Sequence, residues 1–315
     1  MKILVINPGA TSTKIAVFDG ENEIFRSSVE HAAQDLAHFE HVADQMPYRK
    51  TLILKALDEG GVSLSSLDAI CGRGGLLRHI PSGTYLVTDR VIEDILHPFY
   101  GEHAANLGAY IARELADPLG IPAFFVDPVC VDELTELARV SGLKGIERES
   151  FFHALNQKSV ARKTAKALGK AYEDVNLIVL HLGGGVSVAA HEKGRVVDNY
   201  NVKDDGSMGL DRPGALPVNA VVNLCFSGKT KKEIKKLIGS EAGVYSYLGT
   251  KDFREIERRA FSGDAEANLI FRALAYQLSK DAGAMAAVMH FDVDAIALTG
   301  GMAYSARFCE EISSY

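Results

Sequence analysis

The turn Asn7-Pro8-Gly9-Ala10-Thr11-Ser12-Thr13-Lys14 joins two short β-favouring runs, Ile3 to Ile6 and Ile15 to Phe18. A purely structural hairpin closes on a pair such as Asp-Gly, and Asp19-Gly20 supplies that signal at the far end of the second run. The first turn instead spends Asn7, Thr11, Ser12 and Lys14 on donors and Gly9 on open backbone, the groups an anion takes. Thr13 alternates with Ser12 and faces the other way. The Walker A spacing cannot be written onto this turn, so a different phosphate-binding architecture is implied. Arg73 sits in Cys71-Gly72-Arg73-Gly74-Gly75, where small neighbours leave a guanidinium room to meet a carboxylate bidentately. A glycine-rich turn with a surface arginine is the plain alternative. Asp127 ends the apolar run Phe124-Phe125-Val126, and Pro128 turns the chain there. That edge of an open α/β sheet is where function collects. Arg212 lies in the Gly- and Pro-rich stretch 206–217, read as a loop; an Asp211–Arg212 structural pair is the alternative.

These residues need a scaffold. At 315 residues the chain exceeds the size of one usual core, so two domains are expected, 1–150 and 151–315. Strands near Lys2 to Asp19, Ala69 to Gly72, Thr84 to Val87 and Ala123 to Asp127 alternate with helices near Arg49 to Glu59 and Glu102 to Leu115, which is α/β texture. From Leu177 the plan repeats: at an offset of 175 positions Ile3, Gly9 and Ser12 fall on Ile178, Gly184 and Ser187, and one deletion later Gly20 meets Gly194. Two such strand-turn-strand units facing each other across a cleft would grip one extended anion. His153 to Gly169 reads as a linking helix and Glu266 to His290 as a long one. A strand at Val293 to Thr299 then runs into Gly300-Gly301 and another helix start, a third place for backbone N–H groups to meet a nucleotide.

Bulk properties exclude several classes. With Lys and Arg at 34 against Asp and Glu at 41, the net charge of -7 argues against nucleic-acid and lipid-surface partners. The run Lys229, Lys231, Lys232, Lys235 and Lys236 reads as a solvated helix face around Ile234 and Leu237. No apolar run has the length of a membrane span, and MKILVI breaks before it could form a signal core, so a cytoplasmic location is expected. Cys71, Cys130, Cys225 and Cys309 are scattered, as reduced thiols are. His31, His38 and His41 read as one solvated helical face.

The ordered segments NPGATSTKIAVFD, CGRGG, FFVDP, FHALNQKSVAR, HLGGGVSVAAHEKGRVVD and LTGGMAYSARF resemble the butyrate kinases, a branch of the acetate and butyrate kinase family within the acetate kinase, sugar kinase, Hsp70 and actin superfamily. The resemblance spans nearly the whole chain. Acetate kinases would show N-A-G-S-S-S at the first turn and a second histidine where Gln157 stands, which favours the butyrate branch. The fold so implied is two duplicated actin-like (ribonuclease H-like) domains with a cleft between them. The implied activity is ATP-dependent phosphorylation of a short-chain fatty acid to its acyl phosphate, reversible to make ATP; branched-chain acids, acetate or propionate are alternative substrates.

The resemblance also implies site residues. Arg73 would bind the carboxylate, Arg212 would stabilise the transferring phosphoryl group, and His153 and His181 would donate to phosphoryl oxygens. Asp127 would hold Mg²⁺ through water; a general base is not needed, since a carboxylic acid is already ionised at pH 7. Asn7, Thr11, Ser12 and Lys14 would donate to phosphate from one domain, and Gly183, Gly184, Gly185 and Ser187 from the other. Gly300, Gly301 and Met302 would form the adenosine-side loop. A homodimer or higher homo-oligomer is expected. Family members run on past the adenosine-side helix, with a glutamate near the metal and a terminal helix returning to the first domain. This sequence stops at Ser313-Ser314-Tyr315, and on that reading low activity or instability is expected. Other classes remain open: an actin-like or Hsp70-like switch ATPase, a sugar kinase with Asp127 as base, or a non-catalytic ATP-binding remnant.

Overall fold

A computed structural model describes residues 1–315. The chain divides into two compact units, Met1–Val131 and Asp132–Tyr315. The division precedes the 150/151 boundary expected from the sequence because the intervening segment is tied into the second unit. Thr135 N–H donates to the Val197 carbonyl at 3.0 Å, Lys158 to Glu133 at 2.7 Å and Arg148 to Asp198 at 2.8 Å.

The first unit contains β1 (Lys2–Pro8), β2 (Ser12–Asp19), β3 (Asn22–Glu30), α1 (Ala33–Leu36), α2 (Met46–Glu59), β4 (Ala69–Arg73), β5 (Thr84–Leu86), α3 (Asp89–Leu96), α4 (Asn106–Ala116) and β6 (Ala123–Val126). Its sheet runs β3-β2-β1-β4-β6-β5, with β1, β4 and β6 parallel. The second unit contains α5 (Glu136–Arg139), α6 (Ala154–Ala167), β7 (Asn176–Leu182), β8 (Val186–Glu192), β9 (Arg195–Tyr200), α7 (Val218–Cys225), α8 (Lys231–Ser240), α9 (Gly243–Leu248), α10 (Phe253–Ala260), α11 (Ala265–Val288), β10 (Ala295–Thr299) and α12 (Ala306–Ser313). Its sheet runs β10-β7-β8-β9, with β10 parallel to β7. The orders β3-β2-β1-β4 and β9-β8-β7-β10 are one arrangement used twice, so the duplication seen in the sequence is a duplication of topology.

The tight turns hold the repeat. Asp19-Gly20 links β2 to β3 with Gly20 at φ 60°, and Lys193-Gly194 links β8 to β9 with φ values of 47° and 84°, the left-handed backbone that short hairpin loops require. The first turns of the two units differ in length: Pro8 pairs with Thr13, whereas Leu182 pairs with Val186. Ser12 therefore opens β2, while Ser187 lies one residue inside β8.

The first hairpin gains a third strand, β3, that the sequence reading did not find. Its alternating Ile24, Arg26 and Ser28 carry too little apolar signal, and none of its residues is buried. His31 follows β3 and is not part of a solvated helix. It is 4% exposed, its N–H donates to the Thr11 carbonyl at 2.8 Å, and its ring meets the Thr13 hydroxyl at 2.8 Å. The short α1 comes only after it, and His38 and His41 lie in the irregular chain beyond α1. The lysine run agrees with expectation: Thr230 and Glu233 form a capping box, and Ile234 is the one buried residue of α8. All four cysteines are free, and no helix is long and apolar enough to cross a membrane.

Strand alternation decides what each face can carry. In β7, Ile178, Leu180 and Leu182 pack with α11, while Leu177 and Val179 pack with Ala161 and Ala165 of α6. Buried on both faces, β7 reads as a continuous apolar run. In the first unit the glycines around Arg73 serve packing. A Cβ on Gly72 would stand 2.0 Å from the Gly108 carbonyl oxygen of α4, and one on Gly108 would stand 2.3 Å from the Arg73 carbonyl oxygen. Helix and strand approach so closely that only hydrogen fits between them. Gly72→Ala should therefore lower the urea-unfolding free energy by about 2 kcal/mol or more, since backbone cannot yield as a side chain can. An unchanged unfolding midpoint would show that α4 can slide away.

Candidate active site

Parallel register puts three of the singled-out residues in a row. Ile6 pairs with Gly72 and Arg73 with Val126, so Asn7, Arg73 and Asp127 stand at the carboxyl ends of neighbouring strands β1, β4 and β6. Arg73 Nη1 donates to Asn7 Oδ1 at 3.3 Å and has no carboxylate partner; burial lowers its pKa from the ordinary value. Asn7 and Lys14 are paired across β1 and β2 and line a concavity of about 590 Å³ with Val5, Ala16, Arg26 and Ser28. Thr13 faces the interior, as expected.

The turn between Asn7 and Lys14 is braced from behind. Gly9 N–H donates to the Ser12 carbonyl at 2.6 Å, while the carbonyls of Gly9 and Ala10 accept from Arg49 at 2.9 and 3.2 Å. Arg49 carries no sequence signal, because at the start of α2 it reads as one more solvated helical charge.

Asp127 is 4% exposed and holds a positive φ of 39°. Its Oδ1 accepts from Ser82 Oγ at 2.7 Å and Gly83 N–H at 2.9 Å. No group of three or more His, Cys, Asp or Glu is arranged to enclose a metal. A single oriented carboxylate fits a Mg²⁺ ion that keeps most of its water and takes substrate phosphate oxygens, the usual mode for that ion.

In the second unit the glycine turn 183–185 is supported by backbone. Leu210 N–H donates to the Gly183 carbonyl at 3.4 Å, and Asp211 N–H to the Gly184 carbonyl at 3.2 Å. The same loop brings Arg212 over Gly185, where an added Cβ would lie 3.6 Å from Arg212 Cδ. Arg212 forms no pair with Asp211. Asp211 is taken by Lys251 at 3.1 Å, which leaves the arginine without an acidic partner. Thr299 pairs with His181 across β10 and β7, and Gly300 follows at φ 93° with its Cα so near β7 that a Cβ would meet the Leu182 carbonyl oxygen at 2.3 Å. Gly183, Gly184, Gly301, Met302 and Tyr304 line a cavity of about 620 Å³ with Lys251, Arg254 and Glu257. Met302 itself is 1% exposed. Lys251, Arg254 and Glu257 were not singled out from the sequence, because α10 and the chain before it show no motif; Tyr304 lies within the segment LTGGMAYSARF but was given no role there.

His153 and His181 come together as stacked rings, 3.7 Å between centroids and 11° between planes. His181, Ser187 and His191 share one phase of the strands and so face α6. His181 Nδ1 meets Asn156 Oδ1 at 2.7 Å, and His153 Nδ1 meets Ser187 Oγ at 2.8 Å. Ser187 is fully buried and engaged by Gln157, whose amide nitrogen reaches its hydroxyl at 2.8 Å and its carbonyl at 3.0 Å. The other end of Gln157 meets His191 Nε2 at 3.0 Å, and His191 Nδ1 meets Tyr172 OH at 2.7 Å. Donor rules fix the direction along this chain. Tyr172 donates to His191, His191 to Gln157 and Gln157 to Ser187; because the His153 backbone N–H also donates to Ser187 Oγ at 3.3 Å, both lone pairs of that hydroxyl are taken and it donates to His153 Nδ1.

Residues 139–314 match the model of the acetokinase family. The chain belongs to that family. Its fold is that of solved acetate and propionate kinases. The Porphyromonas gingivalis acetate kinase is 24% identical with a TM-score of 0.80, over 99% of this chain and 86% of that one. A propionate kinase from Francisella tularensis subsp. tularensis SCHU S4 is 20% identical with a TM-score of 0.78, over 99% and 87%. The Entamoeba histolytica acetate kinase is 14% identical with a TM-score of 0.77, over 100% and 86%. The fold class expected from the sequence, α/β with two related sheets, is thus the one found.

Burial, with Lys158 and Arg162 nearby, pushes the His191 imidazole from its ordinary 6.5 down to about 3. Because that value is lower than in the unfolded chain, the neutral ring contributes its full stabilisation above pH 6.5 and loses it as pH falls toward 3. His31, lowered by burial and then by Arg49, acts with the same sign. His191→Gln should flatten the acid limb of the stability curve between pH 6.5 and 4 by up to about 1.4 kcal/mol per pH unit, read by urea unfolding. An unaltered slope would assign acid sensitivity to other groups.

Proposed function

We propose that the protein is an ATP-dependent carboxylate kinase with Mg²⁺ as its metal and a short-chain fatty acid, butyrate foremost, as its acceptor. Family membership supports the reaction class. The observation that carries the assignment of roles is that Arg73 and Arg212 each lie beside a glycine-bearing or donor-rich turn with no carboxylate partner of their own. A guanidinium left without a counter-ion in a folded protein is poised for an anionic ligand.

The chemistry asks for little beyond positioning. A carboxylate oxygen attacks the γ-phosphorus in line, the bond to the β–γ bridging oxygen breaks, and ADP leaves; no proton moves, because the acid is ionised before it binds. The obstacle is repulsion between two anions. Arg73, held by Asn7, would fix the carboxylate. Arg212, over Gly185, would offset charge on the transferring group, and His153 would hydrogen-bond a phosphoryl oxygen through Nε2. His181 would do the same from the neighbouring ring. Asp127 would hold Mg²⁺, which supplies further charge neutralisation when bound. Asn7, Thr11, Ser12 and Lys14 would contact phosphate in the first unit, with Gly183, Gly184 and Gly185 in the second, while Ser187 would orient His153. Gly300, Gly301 and Met302 would flank adenosine, in the cavity that Tyr304 and Lys251 line.

Gln157 supports the butyrate reading, since it stands where the acetate branch carries histidine. One methylene in an apolar pocket discriminates by only about 1 to 3 kcal/mol, so acids of neighbouring length should overlap as substrates. The test is acyl phosphate trapped by hydroxylamine, with ATP and Mg²⁺, comparing butyrate, isobutyrate, propionate, acetate and no acid. More product with butyrate than with acetate is expected; acetate in front would move the chain to the acetate branch, and no product with any acid would remove the kinase reading. Arg73→Gln should raise KM for the acid at least tenfold with KM for ATP nearly unchanged. Arg212→Gln should instead lower kcat by about 10²-fold or more. Equal effects of the two changes on both substrates would contradict the division of roles.

A further inference from the structure

Arg49 is among the largest fully buried side chains, at 0% exposure, and it makes no ion pair. Its five donors go to neutral oxygens. Nη1 reaches the Gly9 carbonyl at 2.9 Å and Thr13 Oγ1 at 3.1 Å, and Nη2 reaches the Ala10 carbonyl at 3.2 Å. Gln45 Oε1 accepts from Nε at 3.1 Å and from Nη2 at 2.9 Å. A buried guanidinium normally recruits a carboxylate, because an uncompensated charge away from water is costly. Here burial lowers its pKa, yet arginine remains charged at any working pH. The adjacent His31 is held neutral by burial and by this cation, so it adds no opposing charge.

The peptide geometry says where that charge acts. Every peptide in the chain is trans, and a trans peptide points its carbonyl and its N–H in opposite directions. With the carbonyls of Gly9 and Ala10 drawn onto Arg49, the N–H groups of Ala10 and Thr11, which share those peptide planes, face away from it. No protein acceptor takes either of them.

We infer that Arg49 is the positioning residue of the first turn: it turns two peptide planes outward to receive a phosphate group and, lacking a counter-ion, lends that turn its positive potential. The inference rests on reading this turn as a phosphate site. Its distinctive content is that the missing carboxylate is functional, and that placing one beside Arg49 would preserve the fold while weakening anion binding.

Gln45→Glu makes that change with nearly constant shape. The new carboxylate can accept the same two guanidinium bonds, and an acid at the N-terminal end of α2 suits the helix. The probe is inorganic tripolyphosphate, titrated into the whole protein and followed by thermal shift, with KM for ATP and for the acid measured alongside. Gln45→Glu should melt no lower than the parent, bind tripolyphosphate about fivefold more weakly or worse, and raise KM for ATP by a similar factor with KM for the acid within about twofold. Arg49→Met should lose both melting temperature and tripolyphosphate affinity. Unchanged tripolyphosphate affinity in a stable Gln45→Glu protein would leave Arg49 a purely structural brace and overturn the inference. So would a parent protein that does not bind tripolyphosphate. A parent that binds it, and loses affinity on Gln45→Glu, yet forms no acyl phosphate, would sink the kinase reading and leave the role of Arg49 standing.

Discussion

A trans peptide cannot offer its carbonyl and its amide to the same side, and the two glycine-bearing turns of this chain are organised around that restriction. Wherever amides are to face a ligand, something must hold the carbonyls back. In the first unit the holder is Arg49, and in the second it is the backbone of Leu210 and Asp211. The sheets provide the footing. Two strands turn at glycine-bearing loops, and the parallel neighbours β4 and β10 bring Arg73 and Gly300 alongside the turn ends.

The rest of the site is held by polar chains that run inward from it. Gln157, Ser187 and His153 are successive links of one such chain, and each link orients the next because each has a fixed donor end and acceptor end. Burial raises the stakes: a broken link leaves a polar group without water to replace its partner. The acid sensitivity of His191 and the orientation of His153 are therefore two consequences of the same packing between α6, β7 and β8.

Much of this was legible in the sequence. Hydroxyls and glycines at Asn7 to Lys14, the apolar run of β7, the Asp-Gly and Lys-Gly turns and the periodicity of α11 are local signals, and each appears in the structure where the residues placed it. What could not be read depends on distant partners. Arg49 is indistinguishable from a solvated helical charge until the turn some forty residues before it lands on its guanidinium. His31 looked solvated because β3 is too polar to announce itself as a strand. The glycines beside Arg73 suggested room for a ligand, whereas Gly72 packs on the α4 backbone, Gly74 on Pro128 and Phe125, and Gly75 on Asn106. The candidate site was thus visible as residues and invisible as supports.

The two ways of holding the turns expose the two halves of the gene to different kinds of change. Support by the 209–212 backbone depends on loop length and on Gly209, where a Cβ would stand 2.2 Å from the Gly184 carbonyl oxygen, so insertions and deletions there are punished. Support by Arg49 is the reverse. One codon carries it, and the irregular chain between α1 and α2 is free to lengthen or shorten so long as the guanidinium still arrives. After duplication, the copies of one ancestral turn would then have drifted under opposite rules, which accounts for a shared topology whose turns differ in both length and sequence.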